Sequence, residues 1–257
     1  MSRPITTSLE AGILTLSLSR PEKKNAITQA MYADLAEAMV SARENSQVRV
    51  VLLRGEGDSF SAGNDIADFI ALAGQSDAPK DPADWPVFRF LRSLADMDKP
   101  VVGAVQGRAV GIGLTVLLHC DLVVVADDAL LSVPFVNLAL APEAASSLLL
   151  PGIVGHPRAF ELFALGEPIS GRTALDWGLA NRAVPAAEVE AVARDLAVRL
   201  AQRAPNSLRK TKSLMRDAQA MWALMLREGD AFGSQMRSPE AMEAFMAFQQ
   251  KRPANFG

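Results

Sequence analysis

The sequence predicts an α/β fold, because strand patterns and helix patterns alternate along its first half. Apolar and polar residues alternate on both sides of Glu10-Ala11-Gly12 within Ile5–Ser19, which predicts a β-hairpin. The next segment has Thr28 as a candidate N-cap and then apolar residues at helical intervals. The short branched run "VRVVLLRG" that follows is typical of a buried parallel strand. The chain is therefore predicted to open as ββαβ.

The alternation continues in the middle of the chain. A helix is predicted at Phe88–Met97, a strand in "KPVVGAVQG", a buried helix in "GIGLTVLLHC" and a strand in "DLVVVADD". No strand pattern is recognised after Pro151, so the last third is predicted to be helical. Its predicted helices are Arg158–Leu165, Ala187–Arg203, Ser207–Ala218, Met221–Phe232 and Pro239–Lys251. The stretch Leu72–Pro86 is rich in Asp, Pro and Gly and is predicted to be a mobile loop.

The composition is typical of a globular chain without a strong net charge. Of the 257 residues, 49% are apolar and 21% are charged, which excludes a largely disordered chain. The net charge of -3 favours neither nucleic acid nor an acidic membrane as a partner. The single Cys120 and the two separated histidines, His119 and His156, form no disulfide or metal-ligand motif. Because no signal peptide or membrane-spanning run is recognised, a cytoplasmic protein is expected.

Two familiar glycine motifs fail in this sequence. The dinucleotide fingerprint fails because Gly111-Ile112-Gly113 is not followed by a third glycine at the required position. A nucleophile elbow fails because Gly57-Asp58-Ser59-Phe60 runs into Ser61 instead of glycine. What remains is a pair of glycine-containing junctions, Gly55–Ile66 and Gln106–Gly113, each directly after a predicted strand. They are either tight turns or a pair of backbone cradles that together hold an oxyanion.

One carboxylate stands out by its surroundings. Glu143 is the only ionisable residue between Ala129 and Gly155, inside the run "LALAPEAASSLLLP". It is either an exposed loop residue beside the core or a base held out of water. In the second case desolvation would raise its pKa towards the working pH, which suits a group that takes up and returns a proton.

Several motifs together resemble a known family. They are "SRPEKKNAI", "GDSFSAGNDI", "KPVVGAVQGRAVGIGLTVLLHCDLVVVADDA", "GEPISGRTALDWGLANRAVP" and "FMAFQQKRPANF", in this order over essentially the whole chain. This pattern looks like the crotonase, or enoyl-CoA hydratase/isomerase, superfamily. The resemblance implies a spiral core of ββα units at 1–195, a helical C-terminal trimerisation region at 196–257, and an acyl-CoA thioester as ligand. It implies no cofactor, since coenzyme A is part of the substrate.

The resemblance also implies an oxyanion hole made of two backbone N–H groups. By position these belong to Asn64, which follows Ala62-Gly63, and to Ile112, the middle residue of "GIG". The family usually has glycine at the second position. The side chain of Ile112 is therefore expected either to narrow the acyl pocket or to shift the loop, while its N–H remains available.

The family's hydratases use two glutamates, and neither is present here. The matching positions hold Thr115 and Phe135, so hydration by the usual route is not expected. "PEAASS" instead resembles the "PEG-SS" segment of the peroxisomal-type Δ3,Δ2-enoyl-CoA isomerases, which carries their single catalytic glutamate. By this resemblance Glu143 removes a proton from C2 of a 3-enoyl thioester, the oxyanion hole holds the dienolate, and the same carboxyl group returns the proton at C4.

Other polar residues have weaker assignments. The backbone of the first junction and one glycine of the second are expected to bind coenzyme A, namely Ser61, Ala62, Gly63, Asp65, Ile66 and Gly111. Four basic residues, Lys23, Lys24, Lys251 and Arg252, are either ligands of its phosphates or ordinary exposed side chains. Asp65 is also a candidate helix cap, and Asp121 a hydrogen-bonding junction residue. Thr115, His119 and Cys120 are interpreted as packing residues.

The sequence thus predicts an enoyl-CoA isomerase and leaves alternatives open. A hydratase, or another enolate reaction on an acyl-CoA, is the enzymatic alternative. A non-catalytic acyl-CoA-binding protein is the other alternative, and Ile112 in place of glycine favours it. A homotrimer or a dimer of trimers is expected, with no nucleic-acid or membrane partner. The sequence does not specify acyl chain length, the choice between trimer and hexamer, or the metabolic pathway.

Overall fold

The structure is a computed structural model that describes residues 3–68 and 81–257. It begins with the expected hairpin, in which β1 (Ile5–Glu10) pairs antiparallel with β2 (Ile13–Leu18). The two residues of the turn between them have positive φ angles, 50° at Ala11 and 80° at Gly12. Positive φ at both central residues is typical of the type I′ turns that connect hairpin strands. Most of the predicted mobile loop, residues 72–80 of Leu72–Pro86, lies outside the described residues.

The first helix and the next strand complete the predicted ββαβ opening. Helix α1 (Gln29–Glu44) begins where the Thr28 hydroxyl accepts a hydrogen bond from the Met31 N–H, as expected of an N-cap. Its buried face packs against α2 (Pro86–Asp96). Strand β3 (Val50–Gly55) then returns parallel to β2 and is almost entirely buried.

Two sheets organise the fold. The larger sheet adds β4 (Val101–Val105), β6 (Leu122–Ala126) and β9 (Arg182–Val184), in the order β1-β2-β3-β4-β6-β9, and is parallel from β2 onward. The smaller sheet contains three short strands, in the order β5-β7-β8. They are β5 (Arg108–Val110), β7 (Leu130–Ser132) and β8 (Ile169–Ser170). Because the chain leaves β4 for β5 and β6 for β7, successive units wind between the two sheets.

Helices cover the larger sheet and fill the C-terminal third. The remaining ones are α3 (Ile112–Thr115), α4 (Ser146–Val154), α5 (His156–Leu165), α6 (Gly171–Asp176), α7 (Val189–Ala201), α8 (Pro205–Met215), α9 (Ala218–Met236) and α10 (Pro239–Gln249). Helix α7 packs across β3, β4 and β6, and α9 packs against α2. Within the described ranges, no helix is both long enough and apolar enough to cross a bilayer.

Two expectations about secondary structure need correction. Strands do occur after Pro151, which itself lies inside α4. Strands β8 and β9 pair with β7 and β6, although each is only two or three residues long. The run "GIGLTVLLHC" is not one α-helix, because α3 tightens into a 3-10 turn over Val116–His119.

Candidate active site

The two glycine-containing junctions emerge from neighbouring strands, β3 and β4, and lie side by side. Ser61 pairs with Ala109 in a parallel bridge, in which the Ser61 N–H donates to Arg108 at 2.9 Å. The approach depends on glycine, since a Cβ on Gly63 (φ 91°) would lie 2.7 Å from the Val110 carbonyl oxygen. The two junctions, which the sequence leaves open as tight turns or as a pair of backbone cradles, therefore lie side by side.

The N–H group of Asn64 points away from the segment around Ile27, with which Asn64 forms a parallel bridge. Gly63 accepts from the Ile27 N–H at 2.8 Å, and Asp65 donates to the Ile27 carbonyl at 2.9 Å. In such a parallel bridge the residue between the two bonded ones directs its own N–H to the opposite side. Within residues 3–68 and 81–257, no protein group accepts a hydrogen bond from Asn64 N.

The N–H group of Ile112 is available for a different reason. Ile112 is the first residue of α3, where backbone N–H groups have no intrahelical acceptor. No acceptor for it is found elsewhere in the described part of the chain. Its side chain is 1% exposed and belongs to the main hydrophobic core. Replacing the family's usual glycine by isoleucine therefore adds core packing and leaves the N–H group in place.

Glu143 is buried, which excludes an exposed loop glutamate. Its residue is 9% exposed, and Oε1 accepts a hydrogen bond of 2.6 Å from the Thr115 hydroxyl. Burial raises the pKa of Glu143 to about 8, an effect that the Thr115 hydrogen bond opposes and the negative charge of Glu228 reinforces. A carboxyl group with this pKa exchanges its proton near neutral pH.

The turn that carries Glu143 has an unusual backbone. Ala144 and Ala145 have positive φ angles, 60° and 57°, in the left-handed region that costs a residue with a Cβ about 1 kcal/mol or more. The imidazole of His119 contacts the Ala144 carbonyl through Nε2 at 2.8 Å. Since a carbonyl only accepts, Nε2 carries the hydrogen. Burial lowers the pKa of His119 to about 4, so the ring is neutral at neutral pH.

Glu228 of α9 also binds this turn. One of its carboxylate oxygens accepts from the Ala145 N–H at 2.6 Å. The other accepts from the N–H of Ser147 at 3.0 Å and from its hydroxyl at 2.5 Å. Helix α9 therefore holds the backbone immediately after Glu143.

Two cavities meet at Asn64. The glutamate cavity, of about 290 Å³, is lined by Asn64, Glu143 and Ala144. Apolar side chains form most of its wall, namely Val87, Phe88, Leu91, Met225, Phe232 and Met236. The loop cavity, of about 350 Å³, is lined by residues 62–64, by Gly111 and Ile112, and by α10. Asn64 and Phe232 line both cavities, so the two spaces adjoin beside the glycine-containing junctions.

Comparisons with known proteins identify the family of this chain. The family model described as enoyl-CoA hydratase/isomerase matches residues 8–257. The chain belongs to this family. It is 32% identical over 254 residues to enoyl-CoA delta isomerase 2 of Rattus norvegicus, covering 98% of this chain and 65% of the rat protein. It is 31% identical over 255 residues to a probable enoyl-CoA hydratase of Bacillus subtilis, covering 98% of both chains.

A solved structure shows the same fold. The enoyl-CoA hydratase/isomerase from Pseudoalteromonas atlantica superposes with a TM-score of 0.92 at 39% identity, covering 99% of this chain and all of the other. The crotonase fold that the sequence motifs implied is therefore confirmed. The division into a core at 1–195 and a C-terminal region at 196–257 stays a prediction.

The residues expected to bind coenzyme A in this family member divide into two groups. Four of them line the loop cavity, namely Ala62, Gly63, Ile66 and Gly111. Ser61 does not, because its hydroxyl donates to the Asn25 carbonyl and its own carbonyl accepts from Val110. Ser61 therefore shapes the loop from behind.

Asp65 and two of the basic residues expected to bind coenzyme A do not line the loop cavity. The Asp65 carboxylate pairs with Arg20 at 2.7 Å and caps the following helical turn, and it does not line the loop cavity. The side chains of Lys24 and Lys251 are exposed and do not line it either. Arg252 does line it, although it also pairs with Glu243.

The roles predicted for three polar residues, Thr115, His119 and Asp121, can be compared with the structure. Thr115 and His119 are not packing residues alone, because they hydrogen-bond to Glu143 and to Ala144. Asp121 is the predicted junction residue, and it accepts from the Val101 N–H and from the Lys212 ammonium group. In the described part of the chain, no group of three or more His, Cys, Asp or Glu residues is arranged to hold a metal ion.

Two residues near Glu143 were missed by sequence reasoning. Tyr32 is fully buried and its hydroxyl donates to the Asn64 amide oxygen at 2.5 Å; burial and then the charge of Glu143 raise its pKa well above the usual value. It is the single tyrosine of the chain and lies on the apolar face of α1. Glu228 stands in line with Met221 and Met225 on the buried face of α9, which is a signal that could have revealed it.

Proposed function

We propose that this protein is an enoyl-CoA isomerase that moves a double bond from the 3 to the 2 position of an acyl-CoA thioester. The carboxylate of Glu143 takes a proton from C2, and the electron pair moves into a dienolate. The N–H groups of Asn64 and Ile112 bind the thioester oxygen as it becomes negative. The same carboxyl group then returns the proton at C4. The reaction needs no cofactor, since coenzyme A belongs to the substrate.

The environment of Glu143 is the observation that carries this proposal. A single carboxyl group must act first as a base and then as an acid, so its pKa has to lie near the working pH. Burial brings the pKa of Glu143 to about 8. The other carboxylate lining the glutamate cavity in the described structure, Asp230, is exposed. Glu143 is therefore the buried group of this cavity that can move a proton.

The two positions of the hydratase glutamates support a proton shift over the addition of water. Thr115 has a hydroxyl that is already donated to Glu143. Phe135 is buried, and its ring lies 6.1 Å from that of Phe163 between centroids. Neither side chain is a carboxylate that can activate water. Both of the glutamates that the hydratases use are therefore replaced by residues that cannot do their work.

The two cavities suggest how the substrate lies. The oxyanion loops and Arg252 line the loop cavity, which suits the pantetheine arm and phosphates of coenzyme A. The apolar glutamate cavity suits the acyl chain. With the thioester at Asn64, where the cavities adjoin, C2 and C4 would point towards Glu143.

The expected assembly is a homotrimer or a dimer of trimers, and it remains part of this proposal. Exposed apolar side chains cluster on α4 and α5, namely Leu148, Ile153, Phe160 and Leu165. Two more, Leu214 and Met215, end α8. Surfaces of this kind favour burial between subunits. Light scattering coupled to size-exclusion chromatography would measure the mass of the assembly.

The direct test is a Glu143→Gln variant assayed with a 3-enoyl-CoA. Removing the acid/base is expected to lower kcat by about 10²–10⁴-fold. The matched control is Asp230→Asn, which removes the other carboxylate of the glutamate cavity and should leave kcat nearly unchanged. Undiminished turnover by Glu143→Gln would overturn the proposal.

The same variant has a built-in folding control. In the folded state Glu143 keeps its proton up to a pH of about 8, whereas the unfolded value is 4.5. The stability of the protein therefore falls as pH rises through this window, and Glu143→Gln removes that loss. The variant is expected to melt at a higher temperature than the parent at pH 8. Inactivity combined with a raised Tm would show that chemistry, and not folding, was lost.

Two further assays separate the alternatives. Hydration of a 2-enoyl-CoA faster than isomerisation of a 3-enoyl-CoA would establish a hydratase instead. Binding of an acyl-CoA in calorimetry, without turnover of either enoyl-CoA, would establish a non-catalytic binding protein. In that case Glu143→Gln would bind the acyl-CoA with unchanged affinity.

A further inference from the structure

A second buried carboxylate lies behind the proposed acid/base. Glu228 is 6% exposed and is supplied by α9, more than eighty residues beyond the turn that it contacts. Its two oxygens accept three hydrogen bonds, from the Ala145 N–H, the Ser147 N–H and the Ser147 hydroxyl. All three contacts place donors against the carboxyl oxygens; burial raises the pKa of Glu228, and these hydrogen bonds oppose that rise because they favour the ionised form.

These contacts hold a backbone that has little reason to adopt its conformation alone. Ala144 and Ala145 are consecutive left-handed residues with side chains, a conformation that local sequence disfavours. The carbonyl of Ala144 is held by His119, and the N–H of Ala145 is held by Glu228. The direction in which the Glu143 side chain leaves the turn depends on this backbone.

The charge of Glu228 also reaches Glu143. Its negative charge disfavours a second negative charge on Glu143 and so raises the pKa of the latter. Two hydroxyl groups also face Glu143, that of Thr115, which opposes this effect, and that of Tyr32, which is neutral. The charged side chains that line the glutamate cavity in the described structure, those of Asp230 and Arg237, are exposed. Behind the two hydroxyl groups lie the neutral His119 ring and Arg227, whose positive charge acts on Glu228.

We infer that Glu228 is a positioning residue for the isomerisation: its carboxylate clamps the Ala144–Ala145 turn and aims Glu143 at the substrate. The inference rests on the proposed function of Glu143. If Glu228 positions Glu143, activity requires that α9 packs in its place, because Glu228 belongs to α9.

The test is Glu228→Gln, which keeps the size of the side chain. An amide has one accepting oxygen, so its NH₂ group must face one of the donors that Glu228 now satisfies. We expect kcat for a 3-enoyl-CoA to fall by about 10- to 100-fold, since small misplacements of a reacting group have effects of this order. KM should change little, because Glu228 lies behind the turn. The inflection of kcat against pH should move to lower pH, since a negative charge near Glu143 is lost.

Two matched variants separate clamping from charge. Glu228→Asp keeps the charge with a shorter reach, so kcat should fall while the inflection stays where it is in the parent. Ser147→Ala removes one of three donors and keeps the bond to Ala145, so its kcat should fall less than that of Glu228→Gln. If Glu228→Gln does not fold, the comparison of Glu228→Asp with Ser147→Ala decides, because the inference requires the larger loss of kcat in Glu228→Asp.

The outcomes also distinguish this inference from the proposed function. Full activity of Glu143→Gln would remove the proposed function itself, whatever Glu228 does. An inactive Glu143→Gln beside a Glu228→Gln with parental kcat and an unchanged inflection would overturn only the positioning role. A lowered Tm with parental kcat would likewise show that Glu228 merely docks α9.

Discussion

The two halves of the candidate site are built in different ways. The two glycine-containing junctions, which we propose as the oxyanion loops, present backbone N–H groups, and their main requirement is glycine where the two segments approach, as at Gly63. The turn around Glu143 presents a side chain, and its partners Thr115, His119 and Glu228 lie 25 to 83 residues away. Backbone donors therefore tolerate a new side chain at Ile112, whereas the turn depends on particular distant side chains.

After the loss of Glu143 itself, the largest effect is expected from removing the backbone donor at Ile112. Proline has no N–H and is accepted at the first position of a helix, which is where Ile112 lies. Ile112→Pro is therefore expected to lower kcat/KM for a 3-enoyl-CoA by about 10²–10³-fold, the usual effect of losing one oxyanion donor. Steady-state kinetics of the purified variant would measure it.

Ile112→Ala is the matched control for that experiment. It loses the same buried side chain, with an expected cost of about 2–5 kcal/mol in unfolding free energy, but it keeps the N–H. Its kcat/KM should stay within a few-fold of the parent. Equal activities of the two variants would show that the Ile112 N–H does not bind the thioester oxygen.

A selective effect is expected from filling the glutamate cavity at Gly233. Gly233 lies on α9, one and a half turns beyond Glu228, and a Cβ there would meet only Arg237, at 3.7 Å. Gly233→Leu should lower kcat/KM for longer 3-enoyl chains by about 10-fold or more, and much less for the shortest. A series of substrates of increasing chain length would show the change.

Gly152→Leu is the control for Gly233→Leu. Gly152 is also a helical glycine with open space at its Cβ, but it lies on α4 and does not line the glutamate cavity. Its chain-length preference should equal that of the parent. If Gly233→Leu leaves the preference unchanged as well, the acyl chain does not lie in the glutamate cavity.

A smaller effect, visible mainly in its pH dependence, is expected at Thr115. Its hydroxyl stabilises the ionised form of Glu143, so Thr115→Val should raise the pKa of Glu143 above about 8. Since the carboxylate is the base, activity at pH 7 should fall by up to about tenfold, the change expected for one pKa unit. The loss should shrink at pH 9 to 10.

Thr115→Ser provides the comparison, because it keeps the hydroxyl. Its inflection in a plot of kcat/KM against pH should match that of the parent. If the inflection of Thr115→Val lies at the parental pH, this hydrogen bond does not change the pKa of Glu143. The turn around Glu143 would then depend less on distant side chains than the structure indicates.

Local signals explain which parts of the fold could be predicted. The hairpin and α1 follow from alternation, a turn at Ala11-Gly12 and a capping Thr28, all within a few residues. Strands β8 and β9 have two and three residues, too few for a pattern, and exist because β7 and β6 offer them partners. Helix α4 contains Pro151, whose missing N–H leaves one helical hydrogen bond unmade.

The candidate site shows the same limit. Glu143 was recognisable because no other ionisable residue lies near it in sequence, and its burial agrees with that reasoning. Glu228 follows Arg227, but its alignment with Met221 and Met225 indicates a buried face. That alignment predicts burial only. The contact with the turn forms when α9 packs against it, which no short segment of sequence encodes.

The smallest effect is expected where the first oxyanion loop is anchored. The Arg20 guanidinium pairs with Asp65 at 2.7 Å, and the N–H groups of Ala67 and Asp68 also bind its carboxylate. Burial alone would raise the pKa of Asp65, but these bonds outweigh it and lower the pKa. The stabilisation is therefore present at neutral pH and is lost as pH falls through the lowered pKa. Asp65→Asn should lower Tm by about 2–4 °C at pH 7, which corresponds to about 1 kcal/mol or less.

The pH dependence of that difference is the decisive measurement for the loop anchor. The gap in Tm between Asp65→Asn and the parent should narrow as pH falls below about 4, where the unfolded parent takes up a proton, and should close below the lowered pKa of folded Asp65. Glu22→Gln, at an exposed carboxylate 3.9 Å from Arg20, should leave Tm unchanged at both pH values. A gap that stays constant with pH would mean that Asp65 acts by shape and not by charge. The loops would then depend on their backbone alone, which would widen the contrast with the Glu143 turn.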